Sequence, residues 1–347
     1  MIKKRVISVL SCALALVAAV YLLTLLTMPK YISSSREGNL ISEYYGEVDK
    51  DIAHQVLFVG DCEVYESFVP AKLWEEQGIT SYVRGSPQQL IWQSYYLLRE
   101  MLEYETPDVV VLGVFSMKYG EGQSEVYNRM TIDGMRWSDE KWGAVRSSLT
   151  EGESTLSYAI PLLRFHSRWQ ELTLEDVRYM WRRESVSHNG YLMQMGVLPR
   201  PSERVEGSQL IDTSLPDICF EYLDKIRELC AESGVTLVLV KAPTNNWRYW
   251  WYDEWDEQIS EYCESYGLDY YNLIDNCEIG IDWERDTYDG GVHLNVWGAE
   301  KTTSYLGRLL AEKYCLADLR GDAQTSRIWQ EKLEKYKEEK ERAGQNE

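Results

Sequence analysis

The chain has 347 residues, enough for one large hydrophobic core or two modest ones. Its 56 acidic residues against 36 basic ones give a formal net charge of −20, which argues against a nucleic-acid partner and makes a densely anionic polymer an awkward substrate. The 25 tyrosines and 13 tryptophans against five phenylalanines favour amphipathic rings, which suit a wet binding surface as well as core and rim packing.

Lys3, Lys4 and Arg5 precede an uncharged run from about Val6 to Met28, close to the roughly 20 apolar residues that cross a bilayer. The run ends in Leu-Leu-Thr-Leu-Leu-Thr-Met-Pro, without a small-x-small cleavage site, and too little apolar sequence precedes Cys12 for a lipoprotein signal. Positive residues stay on the cytoplasmic side. Residues 1–30 are therefore expected to be an uncleaved, single-pass signal anchor in the cell membrane, with the rest of the chain extracytoplasmic.

Residues 31–54 are polar and mixed and read as a stalk. Val56–Val59 is an apolar run that predicts a buried strand; it stops at Gly60-Asp61, and Cys62 follows where a helix begins. Next come helical spacing over Val64–Gln77 closed by Gly78, a short strand Thr80–Val83 ending at Arg84-Gly85-Ser86-Pro87, and an amphipathic helix over Gln88–Tyr104. A third strand, Asp108–Leu112, ends at Gly113. The alternation then breaks. Residues 118–207 carry scattered helix-start signals, such as Ser138-Asp139-Glu140-Lys141 and Thr173-Leu174-Glu175-Asp176. They predict a mostly helical insertion or lid of about 90 residues, long enough to have its own function.

The alternation resumes with Pro216 opening a helix to about Ser233, a fourth strand at Val235–Val240, a helix over Glu254–Tyr266, a fifth strand at Asp269–Asn272 and a helix over Val296–Lys313. The charged pattern of Ser326–Glu347 predicts a solvated helical tail. Strands alternating with helices specify a parallel sheet with right-handed crossovers. The fold class is thus α/β, a doubly wound three-layer parallel sheet of about five strands with a helical insertion and an N-terminal transmembrane helix. The expected α/β domain is 55–117 with 208–318, interrupted by the insertion 118–207 and followed by the tail 319–347.

In open α/β sheets ligands bind beyond the carboxyl ends of the strands. The groups just past the five predicted strands are Asp61-Cys62, Gly85-Ser86, Gly113 with Ser116, Thr244-Asn245-Asn246, and the loop from Asp286 to Asn295. Of the four histidines, His293 lies in the Gly-rich part of that loop, four residues after Asp289 and before a helix that Asn295 can cap. A thiol becomes a strong nucleophile when an imidazole takes its proton and a carboxylate orients the imidazole. Cys62, His293 and Asp289 supply those groups; the blander reading is a buried cysteine in a turn and a loop histidine bonded to backbone. Six cysteines lie beyond the anchor with no CxxC pair, so neither a metal site nor a thioredoxin-type pair is expected, and no cofactor is implied. Asn245, Asn246, Trp247, Trp250 and Trp251 follow the fourth strand at the same edge, where they would stack on sugar rings and bond their hydroxyls, or pack beneath the insertion.

Val-Gly-Asp-Cys at 59–62, Gly85, and the Asp289…His293-Leu294-Asn295 block together resemble the SGNH (GDSL-type) hydrolases, from about Val56 to Leu310 apart from the insertion. The resemblance implies Cys62 as nucleophile, where the family has serine, His293 as base and Asp289 as its orienter. The backbone N–H groups of Cys62 and Gly85 would form the oxyanion hole. Within the family the chain is most similar to the membrane-anchored cell-envelope branch of D-alanine-transferring and alginate-acetyltransferase-type proteins. That implies a cell-envelope glycan or its acyl donor as substrate, and a membrane-bound O-acyltransferase as partner. Three departures stand out. Cysteine replaces serine; Asp289 is four rather than three residues before His293, which keeps Asp286 as an alternative; and Gly113-Val114-Phe115-Ser116 lacks the family's asparagine, which Ser116 replaces only in part. The expected function is an extracytoplasmic, membrane-anchored acyl esterase or O-acyltransferase using a Cys-His-Asp acyl-enzyme mechanism. The alternative is an inactive glycan-binding or scaffold protein.

Overall fold

A computed structural model describes residues 2–29, 40–181, 185–199, 209–245, 251–274 and 276–345. Five strands, β1 (Val56–Gly60), β2 (Ser81–Gly85), β3 (Val109–Gly113), β4 (Thr236–Lys241) and β5 (Asp269–Asn272), form one sheet in the order β2-β1-β3-β4-β5. Every pairing is parallel. β1, β2 and β3 are buried at every position, which is why β1 and β3 read as unbroken apolar runs rather than as alternating ones. The expected α/β class is what the chain adopts.

The two faces of the sheet divide by residue parity, as the period of a strand requires. Leu57, Val59, Val110, Leu112, Leu237 and Leu239 pack against α6 (Ile91–Tyr104), α12 (Asp217–Glu232) and α13 (Asp253–Tyr266). Val56, Phe58, Val109, Val111, Val238 and Val240 pack against α5 (Pro70–Gln77) and α14 (Val296–Lys313). Each such aliphatic side chain contributes about 1.5–3 kcal/mol on full burial.

Two stretches differ from the sequence-based expectation. Residues 40–54 are not a free stalk, because α2 (Leu40–Glu43), α3 (Tyr45–Val48) and the residue between them bury Leu40, Ile41, Tyr44 and Tyr45. Those positions are one helical face hidden among polar neighbours. The Tyr45 hydroxyl donates to Glu100 at 2.8 Å, and Glu100 in turn pairs with the buried Arg84. The remainder of that expected stalk, 31–39, lies outside the described residues. The tail is not solvated all round either. α15 (Ala323–Gly344) lays Trp329, Leu333 and Tyr336 against the domain, with Trp329 beside Trp74 of α5. The i, i+4, i+7 spacing of those three residues makes the inward stripe.

In the insertion the described residues form α7 (Glu125–Ile132), α8 (Asp139–Ser148), α9 (Thr155–Ala159), α10 (Leu162–Phe165), a 3-10 turn His166–Gln170, and α11 (Leu174–Tyr179). Its far end runs back along the α/β domain: Leu192 N–H donates to the Tyr65 carbonyl and Leu198 N–H to Thr287. The N-terminal helix α1 (Ile2–Thr27) is long and apolar enough to cross a membrane.

Candidate active site

Three glycines at strand ends set the stage. Gly60 and Gly85 are paired in register, and Gly113 lies beside Gly60. A Cβ on either Gly60 or Gly113 would come 2.4 Å from Val64 Cγ2, and one on Gly85 would come 2.7 Å from the Gly60 carbonyl. Their bare Cα atoms let the short helix α4 (Cys62–Tyr65) settle onto the sheet edge. Asp61 caps that helix, its side chain accepting from Glu63 N–H at 3.1 Å. Cys62 is thereby the first helical residue, held at the carboxyl end of β1.

The opposing loop is shaped by Gly290 and Gly291, with φ of 84° and 96°, a region that favours glycine. The turn brings His293 back onto Asp289. One carboxylate oxygen accepts the His293 backbone N–H at 2.8 Å, and the other accepts ring Nδ1 at 2.7 Å. The carboxylate therefore holds the residue twice, an arrangement that uses the four-residue spacing. The Gly291 carbonyl accepts Asn245 N–H at 2.8 Å and the Thr244 hydroxyl at 3.2 Å, which ties the loop to the end of β4. Asn295 caps α14 through Trp297 and Gly298 N–H.

His293 Nε2 lies 3.1 Å from Cys62 Sγ. With Nδ1–H donating to Asp289, Nε2 is left as the acceptor facing the thiol. Cys62, His293 and Asp289 thus form one continuous hydrogen-bonded chain. Asp286 is elsewhere: buried, it accepts from Lys301 Nζ at 2.6 Å and from Asp282 N–H at 2.8 Å. Gly85 stands at the same sheet edge, and Ser116 is buried in the 3-10 turn Phe115–Lys118 after β3, outside that chain.

A second carboxylate, which the sequence reading passed over, belongs to the site. Glu66, one helical turn after Cys62, is buried 3.9 Å from His293 Nδ1. The Tyr288 hydroxyl donates to both its oxygens at 3.0 and 3.1 Å, and Gln194 Nε2 donates at 3.3 Å. An acid at i+4 from the cysteine, and a tyrosine immediately before Asp289, were the available signals.

Burial pushes the Cys62 thiol up to about 11, with Asp61 and Glu66 adding to the rise and His293 opposing it. Burial alone would lower His293, but Cys62, Glu66 and Asp289 outweigh it and carry the imidazole well above its ordinary value. The two shifts pull in opposite senses on the thiol proton. The rise at His293 is the firmer of the two, because carboxylates at 2.7 and 3.9 Å from Nδ1 stabilise the imidazolium directly. The same contact that raises His293 holds the thiol below where burial alone would put it. Asp61 is pushed up to about 7, first by burial and then by Glu63. Beneath it Glu63 and Lys241 form a buried ion pair, both oxygens 2.7 Å from Nζ. Lys118, over the Phe115 ring at 3.7 Å, is brought down to about 8 by burial.

The expected sugar-stacking residues fare differently. Trp251 is only 1% exposed, packed edge-on against Trp255 at 5.6 Å. It is a core ring, because the apolar space under the end of β4 takes it in, and it has no face to offer a ligand. Asn245 is buried and serves the loop through its backbone. Asn246, Trp247 and Trp250 lie outside the described residues.

No family model matches the chain, and no curated protein matches it. Among solved structures it is similar to a candidate acylhydrolase from Bacteroides fragilis, at 9% identity and a TM-score of 0.39, over 78% of this chain and 96% of that one. It is also similar to a GDSL-like lipase from Bacteroides thetaiotaomicron, at 11% identity and a TM-score of 0.37, over 79% and 99%. Likeness at this level carries no functional weight; the side-chain geometry carries it.

Proposed function

We propose that this chain is an acyl esterase or O-acyltransferase that works through an acyl thioester on Cys62. The observation that carries the reading is the unbroken chain from Cys62 Sγ to His293 at 3.1 Å and on to Asp289 at 2.7 Å. His293 Nε2 takes the thiol proton as sulfur attacks the acyl carbonyl carbon. The oxyanion meets the backbone N–H groups of Cys62 and Gly85. His293 then returns the proton to the leaving alkoxide, the ester C–O bond breaks, and the thioester remains. Water, or a sugar hydroxyl, gives its proton to His293 and attacks the thioester, and the thiol is restored. Asp289 keeps the tautomer and stabilises the imidazolium throughout, while Glu66 strengthens the base.

In the finer reading, α1 anchors the enzyme in the cell membrane with the site on the extracytoplasmic side. A cell-envelope glycan or its acyl donor is the substrate, and a membrane-bound O-acyltransferase is the partner. A thioester exchanges readily with hydroxyl acceptors, which suits transfer as well as hydrolysis. A second reading, a glycan-binding scaffold without catalysis, is favoured by one observation: Gly113-Val114-Phe115-Ser116 offers no asparagine for the oxyanion, and Ser116 is buried in the turn after β3. Turnover of an acetyl ester and of an acetylated oligosaccharide by the full chain, beside Cys62→Ala, separates the two. Activity abolished in Cys62→Ala supports the enzyme; equal rates for both proteins support the scaffold.

A further inference from the structure

The insertion leaves several large apolar side chains exposed among the described residues. Leu156, Leu163, Trp169, Leu174, Val177 and Trp181 are 45–81% exposed and fall within a single stretch of chain. Trp137, Trp169 and Trp181 are the exposed tryptophans among the described residues, and all three belong to the insertion. Apolar exposure concentrated in this way marks a contact surface.

Its place in the fold says with what. α10, the 3-10 turn and α11 pack against α1, and Arg168 Nη1 donates to the Thr27 carbonyl at 2.7 Å. α1 is 26 residues long, about 39 Å at the rise of a helix, against a hydrocarbon core of about 30 Å. With Lys3, Lys4 and Arg5 at the opposite surface, the hydrocarbon ends within the last turns of α1, where the insertion grips it. Between them lies a cavity of about 1050 Å3, lined on one side by Leu16, Val17 and Val20 of α1 and on the other by Ile160, Pro161 and Phe165. Leu16 is more than two turns before the gripped end, so the cavity reaches to acyl-chain depth. The charged groups at this cavity are paired among themselves: Arg129 and Arg164 with Glu125, Arg129 also with Asp133, and Arg136 with Asp49, while Lys141 Nζ donates to the Met135 carbonyl, and the chain as a whole is acidic. The surface therefore suits an apolar rather than an electrostatic membrane contact. Tryptophan is the side chain that favours the headgroup boundary.

We infer that the α9–α11 face of the insertion rests in the outer boundary of the phospholipid bilayer around α1. The α/β domain is then held at a fixed attitude to the membrane instead of swinging on a tether. The inference depends on α1 spanning the bilayer and is independent of the chemistry at Cys62.

α1 contains no tryptophan, so any quenching of tryptophan emission by lipid-borne bromine reports the rest of the chain. The full chain is reconstituted, with no other protein, into vesicles of phosphatidylcholine brominated on the acyl chains near the headgroup. Emission is expected to fall relative to unbrominated vesicles, and the Trp169→Phe/Trp181→Phe protein, which stays apolar, is expected to lose most of the quenched fraction. An unchanged quenched fraction in the double variant overturns the inference. So does full access of aqueous iodide to Trp169 and Trp181 of the full chain in unbrominated vesicles, read as the iodide-quenched fraction lost in Trp169→Phe/Trp181→Phe; that result means the face awaits another membrane protein.

Discussion

Replacing Lys241 by methionine leaves the Glu63 carboxylate buried without its partner, one residue from the proposed nucleophile. Lys241 is fully buried and Glu63 nearly so, with both carboxylate oxygens 2.7 Å from Nζ. At an effective dielectric of about 20 the gross attraction at that distance is about 6 kcal/mol, and removing one member of a buried pair costs about 3–5 kcal/mol net. Methionine keeps the aliphatic stem, so little cavity penalty is added. An isolated buried carboxylate takes up a proton rather than stay charged, so the penalty is full at pH 8 and smaller at pH 5. The assay is urea unfolding in detergent micelles followed by tryptophan emission, which α1 does not contribute to. A loss of about 3–5 kcal/mol at pH 8, largely recovered by adding Glu63→Leu, is expected. A loss below about 1 kcal/mol, or one independent of pH, refutes the assignment of this pair as the buried support of α4.

Asp289→Asn is expected to lower turnover by about a thousandfold or more, as loss of a tautomer-holding carboxylate does elsewhere, whereas Asp286→Asn lowers stability through Lys301 and leaves kcat near the parent value; steady-state kinetics and melting curves distinguish them. Glu66→Gln removes an anion 3.9 Å from His293 Nδ1, so the imidazolium is less stable and the acid limb of the kcat/KM profile moves to lower pH; an unmoved limb means Glu66 does not set the base. Gly113→Ala forces a methyl onto Val64 Cγ2 at 2.4 Å and is expected to cost about 1–3 kcal/mol, with Val64→Ala in the same chain relieving most of it in a denaturant titration.

The strands were legible because burial on both faces turns β1, β3 and β4 into continuous aliphatic runs, and the convergence of Cys62 and His293 followed from where strands end. The choice of Asp289 over Asp286 was not legible. It depends on a loop closed through Gly290 and Gly291, which lets one carboxylate take both the backbone and ring N–H of His293. Residues 40–54 and α15 were misjudged for a common reason: a few inward residues at helical spacing were outnumbered by charged neighbours. Trp251 shows the converse limit, since an aromatic-rich stretch reads alike whether its rings meet solvent or each other. Glu66 escaped notice because one acid among 56 Asp and Glu residues has no mark of its own until Tyr288 and His293 are placed beside it.

The central claim is that Cys62 carries the acyl group, and the peptide mass of that residue tests it most directly. The full chain is incubated briefly with an acetyl ester or acyl thioester, quenched in acid and digested. An acetyl increment is expected on the peptide containing Cys62 and none in Cys62→Ala. A chain that turns over the ester with no increment on Cys62, or with the increment on another residue, contradicts the claim.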